Sequence, residues 1–144
     1  MEEKPIKILL ANDHSLFRSA IKTLLHKTSH ILIIAEADSF PDIYSKLQEC
    51  QPDILMTDDQ MPGGNSISDL PRIKELYPEL KIIVNTMFRD KGYLNKLMQL
   101  TDGLLSFNSM SEEFIKAIET AHYGGFYYYI PGLKKKIPEI ANSK

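Results

Sequence analysis

Pro52-Asp53-Ile54-Leu55-Met56-Thr57-Asp58-Asp59-Gln60-Met61-Pro62-Gly63 is a short apolar run that ends on an acid and breaks at once into a Pro-Gly loop. A run of this length bounded by turn signals reads as a buried strand, and open parallel sheets bind ligands just beyond the carboxyl ends of their strands. Asp58 falls at that edge. A second run, Ile6 to Ala11, ends in Asn12-Asp13, and a third, Lys81 to Asn85, ends in Thr86. Two carboxylates and a hydroxyl are therefore expected to converge on one rim.

Two carboxylates held close repel, so they either share a proton or hold a cation, and hard oxygen ligands with room for phosphate oxygens suit Mg²⁺. A carboxylate in such a place can also act as a nucleophile and form an aspartyl phosphate. Asp58 is the candidate for that role. Side chains alternate along a strand, so if Asp58 faces the rim its neighbour Asp59 points elsewhere. A lone loop acid more often only caps a turn; the coincidence of Asp13, Asp58 and Thr86 at three strand ends is what favours a site.

The remaining chain alternates strand and helix patterns. Leu16, Phe17, Ala20, Ile21, Leu24 and Leu25 recur at helical spacing, with Ser15 as the expected N-cap. Ile31 to Ala37 reads as a second strand, and Ile43, Leu47 and Cys50 mark a helix that stops near Pro52. Ile67, Leu70, Ile73, Lys74 and Tyr77 give a third helix, with Pro71 expected in its first turn or at a kink. Tyr93, Leu94, Leu97 and Met98 mark a fourth helix, Gly103 to Phe107 a fifth strand, and Phe114, Ile115, Ile118 and Ala121 a fifth helix opened by Ser111-Glu112-Glu113. Five βα units argue for an α/β fold with a doubly wound, five-stranded parallel sheet.

With 144 residues, 43% of them hydrophobic and 25% charged, the chain fits one domain with one sizeable core. A net charge of -2 argues against a nucleic-acid surface within it, and Lys134-Lys135-Lys136 reads as a solvated face. Cys50 is the single cysteine, which excludes an internal disulfide framework and fits a reducing compartment. Met1 to Pro5 lacks the order of a secretory signal and no run reaches membrane-spanning length, so a cytoplasmic location without membrane contact is expected. His14, His26, His30 and His122 show no metal-ligand spacing. Phe126-Tyr127-Tyr128-Tyr129 lacks interleaved basic residues and is expected to close the last helix against the sheet rather than to stack bases.

The succession Asn12-Asp13-His14-Ser15-Leu16-Phe17-Arg18, Pro52 to Asp58 with Met61-Pro62-Gly63, Ile83-Val84-Asn85-Thr86-Met87, Asp102-Gly103 and Ser111 to Ile118 resembles the receiver domain of bacterial two-component response regulators. It is most similar to the subfamily with a LuxR-type helix-turn-helix output domain. The resemblance covers about residues 5 to 131 and implies the flavodoxin-like (βα)5 fold. It sets a receiver domain over residues 1–131 and a C-terminal linker-like tail over 132–144, with the native chain expected to continue past Lys144. It further implies a non-enzymatic signalling role, with Asp58 phosphorylated by a sensor histidine kinase and the change passed to a transcriptional output. Asp13, Asp58 and the backbone carbonyl of Gln60 take the places of the Mg²⁺ ligands, and Thr86 that of the hydroxyl that moves onto the phosphoryl group. DNA would be reached only through an output domain outside this chain. A homodimer or output contact would use exposed positions of the fifth helix such as Lys116, Glu119 and Thr120.

Three positions depart from the family pattern. Asn12 stands where an acid is usual, so Mg²⁺ should bind more weakly. Phe107 stands where the family has a Lys whose charged hydrogen bond contributes about 1.5–3 kcal/mol. Leu104 replaces the ring whose rotation follows the hydroxyl. Arg89 and Lys91, in the loop after Thr86, are candidates for a substitute cation. These changes leave a second reading open, a pseudo-receiver that works as a phosphorylation-independent interaction module. A haloacid dehalogenase-like hydrolase ranks last, because Gln60 occupies the place of its second acid and no cap insertion is present.

Overall fold

The computed structural model describes residues 4–106, 111–130 and 137–140. Strand β1 (Ile6–Ala11) is followed by α1 (Ser15–His26), β2 (Ile31–Ala37), α2 (Phe40–Glu49), β3 (Ile54–Asp58), α3 (Ser66–Leu76), β4 (Lys81–Thr86), α4 (Lys91–Leu100), β5 (Gly103–Ser106), α5 (Ser111–His122), β6 (Gly125–Tyr129) and β7 (Ile137–Ile140). The strands form one sheet in the order β2-β1-β3-β4-β5-β6-β7. The chain steps outward from β1 to β2, then crosses back to β3 on the other side of β1. The winding direction therefore reverses between β1 and β3, and a crevice opens there at the carboxyl ends of the strands.

Strand alternation explains the two cores. Leu9, Leu55, Val84 and Leu104 face α2, α3 and α4, where they meet Phe40, Ile43, Leu70, Ile73, Leu94 and Leu97. Ile8, Met56, Ile83 and Leu105 face α1 and α5, where they meet Ile21, Leu25, Phe114 and Ile118. Every one of these side chains is buried. Central strands covered on both faces lose the apolar-polar alternation, which is why β1, β3 and β4 read as continuous apolar runs.

The five expected parallel strands are present, and the sheet continues beyond them. β6 pairs parallel with β5, and β7 pairs antiparallel with β6. The aromatic run, expected to close the last helix against the sheet, does so as a strand of its own. Tyr127 and Tyr129 join the core under α5, while Tyr128 packs on the opposite face and donates to the Met98 and Thr101 carbonyls at 2.9 and 3.1 Å. Ile137–Ile140, within the linker-like tail, supplies β7.

Local details also differ from expectation. Ser15 is the first helical residue of α1 rather than its cap; His14 is the N-cap and makes no side-chain cap bond. Leu16 points out of the core and is 82% exposed. Pro71 sits in the second turn of α3, inside the helix. On α5, Lys116 is exposed, and the half-buried Glu119 meets His30 Nε2 at 2.6 Å.

Candidate functional site

Asp13, Asp58 and Thr86 follow or end three neighbouring strands, β1, β3 and β4, at the crevice. Asp58 is half-buried, and its Oδ1 accepts the backbone N–H of Asp59 at 3.0 Å. Burial first, then the Asp59 carboxylate, push its carboxyl up to about 7, and Asp13 adds a smaller upward contribution. Carboxylates do crowd Asp58, but the leading one is Asp59, which was expected to point elsewhere, and the expected partner Asp13 contributes less.

Asp59 turns inward, yet its carboxyl stays beside that of Asp58, so the separation expected from strand alternation is not seen. Asp59 is 1% exposed, and its Oδ2 accepts the Tyr93 hydroxyl at 2.6 Å and Gln60 Nε2 at 3.4 Å. Gln60 Nε2 also donates to the Tyr93 hydroxyl oxygen at 3.3 Å. Burial and the Asp59 carboxylate hold the Tyr93 phenol well above its ordinary range, so it stays a donor. A buried carboxylate is costly unless it is hydrogen-bonded, and Tyr93 is its shortest partner. Neither the Tyr93 link nor this use of the Gln60 side chain was visible in the sequence.

Asn12 is 4% exposed and has a local role of its own. Its Oδ1 accepts the His14 N–H at 2.8 Å, closing a short turn at the start of α1. Its backbone oxygen accepts Arg18 Nη1 at 2.6 Å, while Arg18 Nε donates to Glu36 Oε1 at 2.9 Å. Lys22 Nζ meets the other Glu36 oxygen at 2.8 Å, and its hydrogen bond is the first cause that lowers the Glu36 carboxyl. Arg18 thus pins the loop that carries Asp13, a function the sequence did not suggest.

Thr86 is 1% exposed, and its Oγ1 accepts the Phe88 N–H at 3.1 Å. Leu104 is fully buried in the core under α4, and Phe107 lies outside the described residues. Arg89 and Lys91 are both exposed and flank Asp90, whose Oδ2 caps α4 through the Tyr93 N–H at 2.9 Å. Among the described residues, no cluster of three or more His, Cys, Asp and Glu side chains could hold a metal ion. Two carboxylates and a backbone carbonyl nevertheless suit Mg²⁺, which keeps several waters and takes few protein ligands.

Fold and site together define a doubly wound α/β domain with a carboxylate-bearing rim at its switch point. Residues 8–119 match the response regulator receiver domain, and the chain belongs to that family. It is 33% identical over 139 residues to the oxygen regulatory protein NreC of Staphylococcus epidermidis, covering 95% of this chain and 64% of that protein. It is 32% identical over 124 residues to NreC of Staphylococcus aureus strain JH9, covering 85% and 57%. The chain therefore spans less than two thirds of these relatives. Among solved structures, the isolated receiver domain of RcsB from Salmonella enterica serovar Typhimurium, determined with phosphomimetic BeF3⁻, superposes with a TM-score of 0.82 at 23% identity, covering 88% of this chain and 94% of that one. The non-phosphorylated receiver domain of RcsB from Escherichia coli gives 0.83 at 23% identity, covering 88% and 100%.

Proposed function

We propose that this domain receives a phosphoryl group on Asp58 from a partner histidine kinase and passes the change to a transcriptional output. The observation that carries the reading is the half-buried Asp58 carboxylate at the switch point, crowded by the Asp59 carboxylate and, to a lesser degree, by Asp13. In the transfer, an Asp58 oxygen attacks phosphorus, the bond from phosphorus to the donor imidazole breaks with its electron pair leaving on nitrogen, and an aspartyl phosphate remains. Mg²⁺ held by Asp13, Asp58 and the Gln60 carbonyl would lower the charge repulsion against the incoming phosphoryl oxygens. The Thr86 hydroxyl would donate to one of those oxygens. Arg89 or Lys91 would supply part of the missing cation. The kinase, a homodimer and a DNA-binding output beyond Lys144 are proposed on the same ground, with the domain spanning residues 1–131 and working in the cytoplasm; no helix among the described residues is long and apolar enough to cross a membrane.

A second reading is supported by Leu104, which fills the usual ring position with a fully buried aliphatic side chain. It makes the domain a phosphorylation-independent interaction module. Incubation with acetyl phosphate and Mg²⁺, read by intact mass, separates the two. One phosphoryl group on the wild type and none on Asp58→Asn is the expected result. A wild type that stays unmodified over a range of donor concentrations overturns the phosphoacceptor reading and leaves the interaction module.

A further inference from the structure

Two connections run from the rim to the first turn of α4 and meet on one side chain. The first starts at Asp58, whose Oδ1 holds the Asp59 N–H at 3.0 Å, and passes through the buried Asp59 carboxylate to the Tyr93 hydroxyl at 2.6 Å. The second starts at Thr86, whose Oγ1 holds the Phe88 N–H at 3.1 Å; the Phe88 ring meets the Tyr93 ring edge to face, with centroids 5.6 Å apart and planes at 81°. Tyr93 is half-buried and lies three residues past Asp90, which caps α4 through the Tyr93 N–H.

Resting on the reading of Asp58 as phosphoacceptor, we propose that Tyr93, held by Asp59, is the positioning residue that couples occupancy of Asp58 to the start of α4, in place of the ring absent at Leu104. Both connections are disturbed by the same event. A phosphoryl group on Asp58 puts added negative charge beside a buried carboxylate whose short partner is a neutral hydroxyl, and like charges in a poorly solvated setting repel strongly. It also offers the Thr86 O–H a charged acceptor, and rotation of Oγ1 toward that acceptor would draw it away from the Phe88 N–H. Asp59 is pushed from one side while Phe88 is released on the other. Tyr93 takes up both displacements, and its backbone belongs to the α4 cap.

The test uses the full chain labelled with ¹⁵N, with beryllofluoride and Mg²⁺ as the phosphoryl analogue. In the wild type, the analogue binds and the amide signals of Phe88 to Leu97 shift. Tyr93→Phe removes only the hydroxyl; it is expected to bind the analogue within about threefold of wild type, a difference under 1 kcal/mol. Its α4 shifts are expected to fall to less than about half, because one of two inputs to a shared element is gone. Tyr44→Phe is the control, since Tyr44 donates to Asp69 Oδ1 at 2.7 Å between α2 and α3 and not to α4, and it should respond as wild type. Should Tyr93→Phe not fold, Asp59→Asn replaces it: it keeps an acceptor for Tyr93 but removes the repelled charge, and should bind the analogue with reduced α4 shifts. Analogue-bound variants with α4 shifts of wild-type size overturn the coupling alone. A wild type that does not bind the analogue overturns the phosphoacceptor reading, and the coupling with it.

Discussion

The Thr86 hydroxyl oxygen accepts the N–H of Phe88, two residues further along the same loop, at 3.1 Å. One lone pair of the hydroxyl is engaged by its own chain, and the loop after β4 is fastened to the strand end.

Thr86→Val keeps the shape and removes the acceptor, leaving the Phe88 N–H without it. A loss of about 0.5–1.5 kcal/mol in urea unfolding is expected, with Thr86→Ser close to wild type. A loss in Thr86→Ser with none in Thr86→Val would assign the effect to the methyl group and not to the hydrogen bond.

Asp58 gives a pH dependence with a defined sign. Its carboxyl is raised to about 7 in the folded chain, so between its unfolded value and about 7 the native state binds more protons than the unfolded one. The stabilisation from this group is complete below the unfolded pKa and is lost as pH rises through about 7. Asp58→Asn carries no such loss. Relative to wild type it should gain on the order of 1–3 kcal/mol between pH 4 and pH 8 in metal-free buffer, the figure discounted because the group is only half-buried. A difference between the two proteins that does not change with pH would contradict the burial and crowding of this carboxyl.

Metal affinity should answer to charge at position 12. Asn12 Oδ1 serves the His14 N–H, and an aspartate oxygen would serve it equally, so Asn12→Asp should keep the turn and add one negative charge to the rim. Mg²⁺ binding by calorimetry is expected to tighten by about tenfold, roughly 1.4 kcal/mol. Equal affinities would show that Asn12 lies too far from the ion for its charge to matter.

Asn85 faces Asp58 across the β3–β4 ladder, is 3% exposed, and among the described residues its Oδ1 has no hydrogen-bond partner. A buried acceptor left unmade costs about 1–3 kcal/mol. Asn85→Leu should therefore stabilise the free protein by about 1 kcal/mol, measured as a higher urea midpoint at unchanged slope. A lower midpoint would mean that the amide is satisfied in solution.

The rim was legible in the sequence because β1, β3 and β4 are buried on both faces, and uninterrupted apolar runs show where such strands stop. The strand period suggested that Asp59 would turn away from Asp58, but β3 ends at Asp58 and the two carboxyls remain neighbours. What Asp59 turns toward was not legible, because Tyr93 lies 34 positions away and the pairing leaves no local pattern. The Arg18–Glu36 bridge was hidden for the same reason, joining α1 to β2. Strand β6 escaped notice because aromatic side chains occupy both of its faces, so Phe126 to Tyr129 shows no alternation. Leu16 misled through periodicity: it has the spacing of the buried stripe, yet it lies in the first turn of α1, at the open end of the sheet.

The loop after Asp58 has one further mechanical property. Gly63 adopts a positive φ of 83°, and a Cβ there would stand 2.5 Å from Cδ of Pro41, while the Phe40 N–H donates to the Pro62 carbonyl at 3.0 Å. The loop that carries Gln60 is thus clamped to the beginning of α2 by a close approach only glycine permits. One wall of the crevice is stiff, and the opposite wall, from Met87 to Asp90, is exposed. A push delivered at Asp58 would meet that clamp on the α2 side and a solvent-facing wall on the α4 side, so the asymmetry of the two walls would favour displacement toward α4.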